Sequence, residues 1–170
     1  DIEETVDVIC GGFPCQDISL AGKGAGLEGE RSGLWTEFHR LIKEIKPKYA
    51  IIENVSALRS RGLDQVLREI SEIGYDAEWH CITAASVGAP HRRDRIWIVA
   101  YANSERLEGQ REISSRISEE LKDPSYARWW AVEPDVGRVA HGVPKRVDRL
   151  KQLGNAVVPQ IPELIGRAIC

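Results

Sequence analysis

The chain has 170 residues, with Lys+Arg 23 against Asp+Glu 26, a formal net charge of −3 and 42% hydrophobic residues. That length suits one compact domain able to bury a core without disulfide or metal staples, and the charge excludes a uniformly basic nucleic-acid binder while leaving room for local basic patches. No run approaches the ~18 apolar residues of a membrane span, Asp1 to Asp7 is acidic where an export signal is basic, and Cys10, Cys15, Cys81 and Cys170 lack the density of a secreted disulfide framework. These features predict a cytoplasmic protein with reduced thiols and no membrane partner. The chain contains no methionine, which reads as part of something longer.

Val6 to Cys10, closed by Gly11 and Gly12, predicts a buried strand and a turn. Residues 13–32 carry Pro14, Gly22, Gly24, Gly26 and Gly29, too many breakers for a regular element. Leu34, Phe38, Leu41, Ile42 and Ile45 then recur at helical spacing, with Ser32 as cap and Pro47 as stop. Tyr49 to Ile52 is a second buried strand, ending at Glu53. Leu63, Val66, Leu67, Ile70 and Ile73 outline an amphipathic helix, with Gly74 at its C-terminal cap.

Ala77 to Thr83 and Arg95 to Tyr101 are strand-like and have no helix between them, which predicts an antiparallel hairpin. The rest of the alternation predicts an α/β fold with a doubly wound, mostly parallel sheet. Periodicity fails over residues 103–125, which read as an exposed insertion ended by Trp129 and Trp130. From Arg138 to Lys151 stand Arg138, Lys145, Arg146, Arg149 and Lys151 against the single acid Asp148. Ile161, Leu164, Ile165, Ala168 and Ile169 form a closing helix with Pro159 and Pro162 at its start. The chain thus divides into 1–102, 103–137 and 138–170.

In an open parallel sheet, loops and helix N-termini converge at the carboxyl ends of the strands. Cys15 lies just past the first strand and Glu53 ends the second, so a thiol and a carboxyl reach one edge as a candidate nucleophile and acid. By position alone, an ordinary loop cysteine and a surface carboxylate compete evenly with that reading. The run Gly22, Lys23, Gly24, Ala25, Gly26 is not a dinucleotide fingerprint, since it neither comes directly after a strand nor opens the next helix. Cys10, Cys81, His80 and His91 lack the paired spacing of a zinc set, and no metal is expected.

Four motifs narrow the reading. Residues 11–16 spell GGFPCQ, followed by DIS; residues 53–55 spell ENV; residues 90–95 spell PHRRDR, followed by IWIVA; residues 153–159 spell LGNAVVP. Together and in this order they resemble the DNA cytosine-5 methyltransferases, over nearly the whole chain except the insertion from Asn103 to about Ala131. The likeness is to the C-terminal majority of a small bacterial or phage-type enzyme of restriction–modification. His91 stands where the family has glutamine.

The resemblance implies an incomplete Rossmann-like methyltransferase fold and assigns roles residue by residue. Cys15 attacks carbon 6 of cytosine, and Glu53 contacts ring nitrogen 3 and the exocyclic amine. Arg93 and Arg95, two apart on a predicted strand and so on one face, hold the base oxygen and orient the catalytic groups. Residues 1–102 become the catalytic α/β part, 103–137 a reduced target-recognition region, and 138–170 a basic segment and a returning helix. The cofactor is S-adenosylmethionine, whose methionine part Asn155 and Val157 would reach. No segment here matches the family's adenosine-binding strand, turn and acidic residue.

DNA is the implied partner. Lys23 and Arg31 meet phosphates from a loop that closes over a flipped base, and Arg138, Lys145, Arg146 and Arg149 form the backbone-binding surface. Solvated charge competes for the basic stretch, and sheet-edge ion pairing for the two arginines. The isolated chain is expected to be inactive and to self-associate or to need a complementing N-terminal half. A noncatalytic DNA-binding remnant and an RNA cytosine-5 methyltransferase remain as alternatives.

The chemistry requires these residue types. Carbon 5 of cytosine is a poor nucleophile until something adds at carbon 6. A thiolate does so, and a carboxylic acid at nitrogen 3 can protonate the electron density that develops there. A free thiol with a pKa of ~8.5 is only slightly ionised at neutral pH, so neighbouring cations must assist, with Arg93 and Arg95 as candidates.

Overall fold

A computed structural model of the chain describes residues 5–13, 34–103, 113–128 and 156–169. Two compact units are present. One comprises Asp1–Thr83 and Arg93–Ser115, the other Ala84–Arg92 and Arg116–Cys170.

The first unit is built on a four-stranded sheet. In chain order it holds β1 (Val8–Gly12), α1 (Leu34–Ile45), β2 (Tyr49–Val55), a 3-10 turn (Ser56–Ser60), α2 (Leu63–Glu72), β3 (Tyr75–Thr83) and β4 (Asp94–Ala102). The strand order is β1-β2-β4-β3. A connection containing α1 makes β1 and β2 parallel. β4 is antiparallel to both of its neighbours, so β1, β2 and β3 run one way and β4 alone is reversed. The hairpin expected between the last two strands therefore forms, and it makes the sheet mixed.

Both helices pack on one face of this sheet. Trp35 and Ile42 of α1 and Val66 and Ile70 of α2 meet Ala50, Ile52, Ile96, Ile98 and Ala100 of the two central strands. The strand residues alternate by two and the helix residues recur after seven or four positions, which is the burial that each period dictates. Removing an isoleucine of this layer from water contributes about 1.5–3 kcal/mol. Directed contacts fix the registry of the helices. Trp35 Nε1 donates to the Glu69 carboxylate, and the Tyr75 hydroxyl donates to the carbonyl of Pro47. Gly74 ends α2 with φ +87°, a left-handed turn that a side chain would strain.

Two features depart from the sequence-based expectation. β1 does not turn at Gly11 and Gly12 but runs through them, because each pairs with a residue of β2, Ile52 and Glu53 respectively. Part of the expected irregular insertion is helical: α3 spans Ile113–Glu120. Ile113 and Ile117, four apart, supply an apolar edge too short to stand out among charges, and Ile117 is 2% exposed. The Glu78 carboxylate accepts the backbone N–H groups of Ile113 and Ser114 at 3.3 and 2.8 Å, so a strand side chain satisfies the open donors of the first helical turn.

In the second unit, α4 (Ser125–Arg128) comes after an Asp123 side chain that accepts the Ser125 N–H at 2.8 Å, and α5 spans Gln160–Ile169. Ile161, Leu164, Ile165 and Ala168 are the buried positions of α5, as their spacing predicts. Arg116 donates to the carbonyl of Ala168, and Arg167 lies over the ring of Tyr126. No helix among the described residues is long and apolar enough to cross a membrane.

Candidate active site

At the carboxyl end of β2 a partly buried acid meets a guanidinium. Glu53 pairs with Gly12 of β1 on one side and with Trp97 of β4 on the other. Strand alternation then sets Gly12, Glu53, Arg95 and Trp97 on the sheet face opposite the helices. Arg95 is paired with Val55 and is therefore the diagonal neighbour of Glu53. A long side chain spans a diagonal. Arg95 Nε stands 2.9 Å from Glu53 Oε1, each side chain being only about one-fifth exposed (20% and 19%).

Glycine at position 12 is what leaves room for the carboxyl. A Cβ there would lie 3.0 Å from Glu53 Oε2 and 3.1 Å from its carbonyl oxygen. Any side chain would push against the acid and the strand beneath it.

Arg93 reaches the cluster by a different route from the one its spacing predicts. It precedes β4 and has φ +36°, so strand alternation does not align it with Arg95. A non-glycine residue in this region costs on the order of 1–3 kcal/mol and is held by its surroundings. The positive charge of Arg93 is nevertheless felt at Glu53. Burial pushes the Glu53 carboxyl above its ordinary pKa, while the charges of Arg95 and then Arg93 and the hydrogen bond from Arg95 pull it back. Burial also lowers the pKa of Arg93, with the charge of Arg95 acting in the same direction. The result is a carboxyl that keeps its proton more readily than a surface glutamate yet has a cation in contact to stabilise the anion once the proton leaves.

On the opposite face of β2, Asn54 is 2% exposed. Its Nδ2 donates to the Phe13 carbonyl at 3.2 Å, and its Oδ1 accepts the Val55 N–H at 2.8 Å. Sequence reasoning misses this residue, although it is the middle letter of the ENV motif. A polar side chain on the apolar face of a buried strand was the available signal.

Of the residues singled out from the sequence, Glu53, Arg95 and Arg93 are thus brought together. Val157 lies ahead of α5 with its side chain 46% exposed. Cys15, Lys23, Arg31, Trp129, Trp130, Arg138, Lys145, Arg146, Arg149 and Asn155 lie outside the described residues. Among the described residues no three His, Cys, Asp or Glu side chains gather into a metal site.

A family model, C-5 cytosine-specific DNA methylase, matches residues 1–140, a span that contains the GGFPCQ, ENV and PHRRDR segments. The chain belongs to this family. It is 39% identical over 101 residues to the Type II methyltransferase M.CviJI of Paramecium bursaria Chlorella virus IL3A, covering 59% of this chain and 28% of that protein. It is 42% identical over 104 residues to M.Eco47II of Escherichia coli, covering 58% of this chain and 25% of that protein. Among solved structures, a DNA modification methyltransferase encoded within an E. coli prophage matches with a TM-score of 0.50 and 26% identity, over 66% of this chain and 31% of that one. The likeness agrees with the α/β sheet described above. The chain spans about a quarter to a third of the length of the curated relatives it matches. The family is one of S-adenosylmethionine-dependent enzymes acting on DNA.

Proposed function

We propose that this chain carries the target-base half of a DNA cytosine-5 methyltransferase. The observation that carries the reading is the Glu53–Arg95 pair at the carboxyl end of β2, a partly buried acid in contact with a guanidinium. Cys15 is the nucleophile. Its thiolate adds to carbon 6 of a cytosine flipped from the duplex, and Glu53 gives its proton to nitrogen 3 as electrons move there. Arg95 and Arg93 stabilise the glutamate anion that results and bind the base oxygen.

When bound, S-adenosylmethionine supplies an electrophilic methyl group for carbon 5. Val157 suits a place beside its aliphatic part, being apolar and open to solvent, and Asn155 supplies a polar contact next to it. These two residues meet only the methionine portion, so the chain by itself binds the cofactor weakly and is inactive, and it self-associates or works with a complementing segment. Lys23, Arg31, Arg138, Lys145, Arg146 and Arg149 contact DNA phosphates. Residues 1–102 act as the catalytic part, 103–137 as a reduced target-recognition region and 138–170 as a basic segment with a closing helix. Cys10 and Cys81 are exposed free thiols, which suits a reducing cytoplasm.

The test is covalent trapping on a duplex containing 5-fluorocytosine, with S-adenosylmethionine and, where required, a separately supplied N-terminal half of a relative. An adduct that disappears in Cys15→Ser is expected. Salt-sensitive binding without any adduct would replace this reading with a DNA-binding remnant, and preferential trapping on folded RNA would reassign the substrate.

A further inference from the structure

A second group of side chains stands close to Glu53 in the strand rows but on the other face of the sheet, at the margin formed by β3. On that face the helix layer covers Tyr75 and Ala77 of this edge strand. It does not cover Trp79, 40% exposed, or Cys81, which follow on the same face. The row of Trp79 runs through Ile98 to Ile52, the residue before Glu53, so the indole stands nearly level with the acid. Two strand spacings, roughly 10 Å, separate β3 from β2.

Arg59 lies over this indole, 5.5 Å from the ring centroid. It comes from the 3-10 turn that follows β2, and that turn is fixed beneath it. Leu58 is fully buried, its carbonyl accepts the Arg61 N–H at 3.1 Å, and the Ser60 hydroxyl donates to the carbonyl of Ala57 at 3.3 Å. Arg40 and Lys48, two other exposed cations of this unit, are each paired with acids, Arg40 with Glu37 and Glu44 and Lys48 with Asp7. Arg59 has no carboxylate partner among the described residues. Residues 54–63 contain Arg59 and Arg61 and no acid.

An aromatic ring holds a guanidinium differently from a carboxylate. The π face attracts the cation without taking up its fork of N–H donors, which stay available to an anion. A phosphodiester offers two oxygens that suit such a fork. An arginine beside an exposed aromatic ring, on an acid-free turn, is the combination with which proteins meet a nucleic-acid backbone.

We infer that Arg59, held by Trp79, is a phosphate contact for duplex DNA outside the target base, on a surface separate from Glu53 and Arg95. The inference rests on the proposed methyltransferase reading, which brings a duplex to this end of the sheet. The offset of roughly 10 Å is less than the major-groove width of about 12 Å, so one duplex can reach both places. Facing away from Glu53, the pair grips flanking backbone and takes no part in the chemistry. Trp79 acts through Arg59 and is a positioning residue.

Equilibrium binding of the chain to a labelled duplex, read by anisotropy across a salt series, tests the pair. Arg59→Gln should weaken binding about three- to tenfold for every duplex sequence and lower the slope of log affinity against log salt by about 1. Trp79→Leu keeps the charge but frees it from the ring, so it should weaken binding with the slope intact. In the double variant the two losses should fall short of additive, because both act through one contact, whereas a merely structural tryptophan predicts additivity. Arg40→Gln should change neither quantity. Unchanged affinity and slope in Arg59→Gln, or an equal loss in Arg40→Gln, would overturn the proposal. Weakened binding of an RNA hairpin but not of the duplex would give the surface to RNA and overturn it too.

A footprint reads the surface directly. Cys81, two residues beyond Trp79 on the same face, should react with iodoacetamide about threefold or more slowly in saturating duplex, since thiol reactivity follows access. An unchanged rate would overturn the placement. Adduct formation on 5-fluorocytosine DNA separates this inference from the reading beneath it. Arg59-dependent binding without an adduct supports the contact and counts against the catalytic reading alone, and an adduct with Arg59-independent binding does the reverse. A wild type that binds no duplex overturns both.

Discussion

The two faces of the sheet at β2 and β4 obey different rules. Toward α1 and α2, Ala50, Ile52, Ile96 and Ile98 are closed off from water by apolar neighbours, and their contribution is non-directional. On the opposite face at the strand ends, Glu53 and Arg95 are four-fifths buried with their charges in contact, which stabilises little because desolvation offsets attraction. The helix-covered face is apolar at these positions, whereas the other face sets an ion pair at the strand ends beside the buried Ile51, Trp97 and Val99. Substitutions should therefore separate stability from chemistry according to the face they touch.

The largest separation is expected from Glu53→Gln. Loss of the proposed proton donor should slow trapping on 5-fluorocytosine DNA by about 10²–10⁴-fold, the usual range for a general acid, while the thermal midpoint moves little. A variant that unfolds as well as failing to trap would break the contrast between the faces. On the helix-covered face, Ile52→Ala should lower unfolding stability by about 2–5 kcal/mol, read from denaturant titration, with trapping per folded molecule nearly unchanged. Gly12→Ala lies between these cases. Its methyl group meets Glu53 within 3.0 Å, so overpacking should cost about 1–3 kcal/mol and also reduce trapping.

Acid–base behaviour sharpens the contrast more finely. Glu53 has its folded pKa raised, chiefly by burial, above the ordinary 4.5. Its contribution to stability is then fully present below that ordinary value and is lost as pH rises through the folded one. Thermal melts of wild type and Glu53→Gln should diverge in favour of the glutamine variant as pH rises across that window. His80 of β3 shares the Glu53 face and shows the reverse: burial lowers its pKa from 6.5, against the opposing charge of Glu78. Here stability is present above 6.5 and is lost as pH falls through the folded value. His80→Leu should flatten this smallest of the expected effects in the same melts.

The legibility of the molecule in its sequence tracked the length of each signal. Helix α1 and helix α2 are readable from five apolar positions each and begin where expected, at Leu34 and Leu63. Helix α3 is not, because Ile113 and Ile117 offer one apolar pair among charges, and its N-terminus is capped by Glu78, a residue 35 positions away. Glu53 and Arg95 are legible as chemistry through their motifs. Spacing places Arg93 on a strand, whereas the chain turns left-handed there before the strand begins.

By itself, the order of residues determined the family and the helices with long apolar stripes, and singled out an acid and two arginines as candidates, because those depend on local periodicity and on short motifs. Only tertiary structure decided that Arg95 meets Glu53 on a diagonal, that Gly12 must be bare, and that Asn54 reaches Phe13. Each of these depends on the register between strands distant in the chain, where a shift of one residue would send every side chain to the other face.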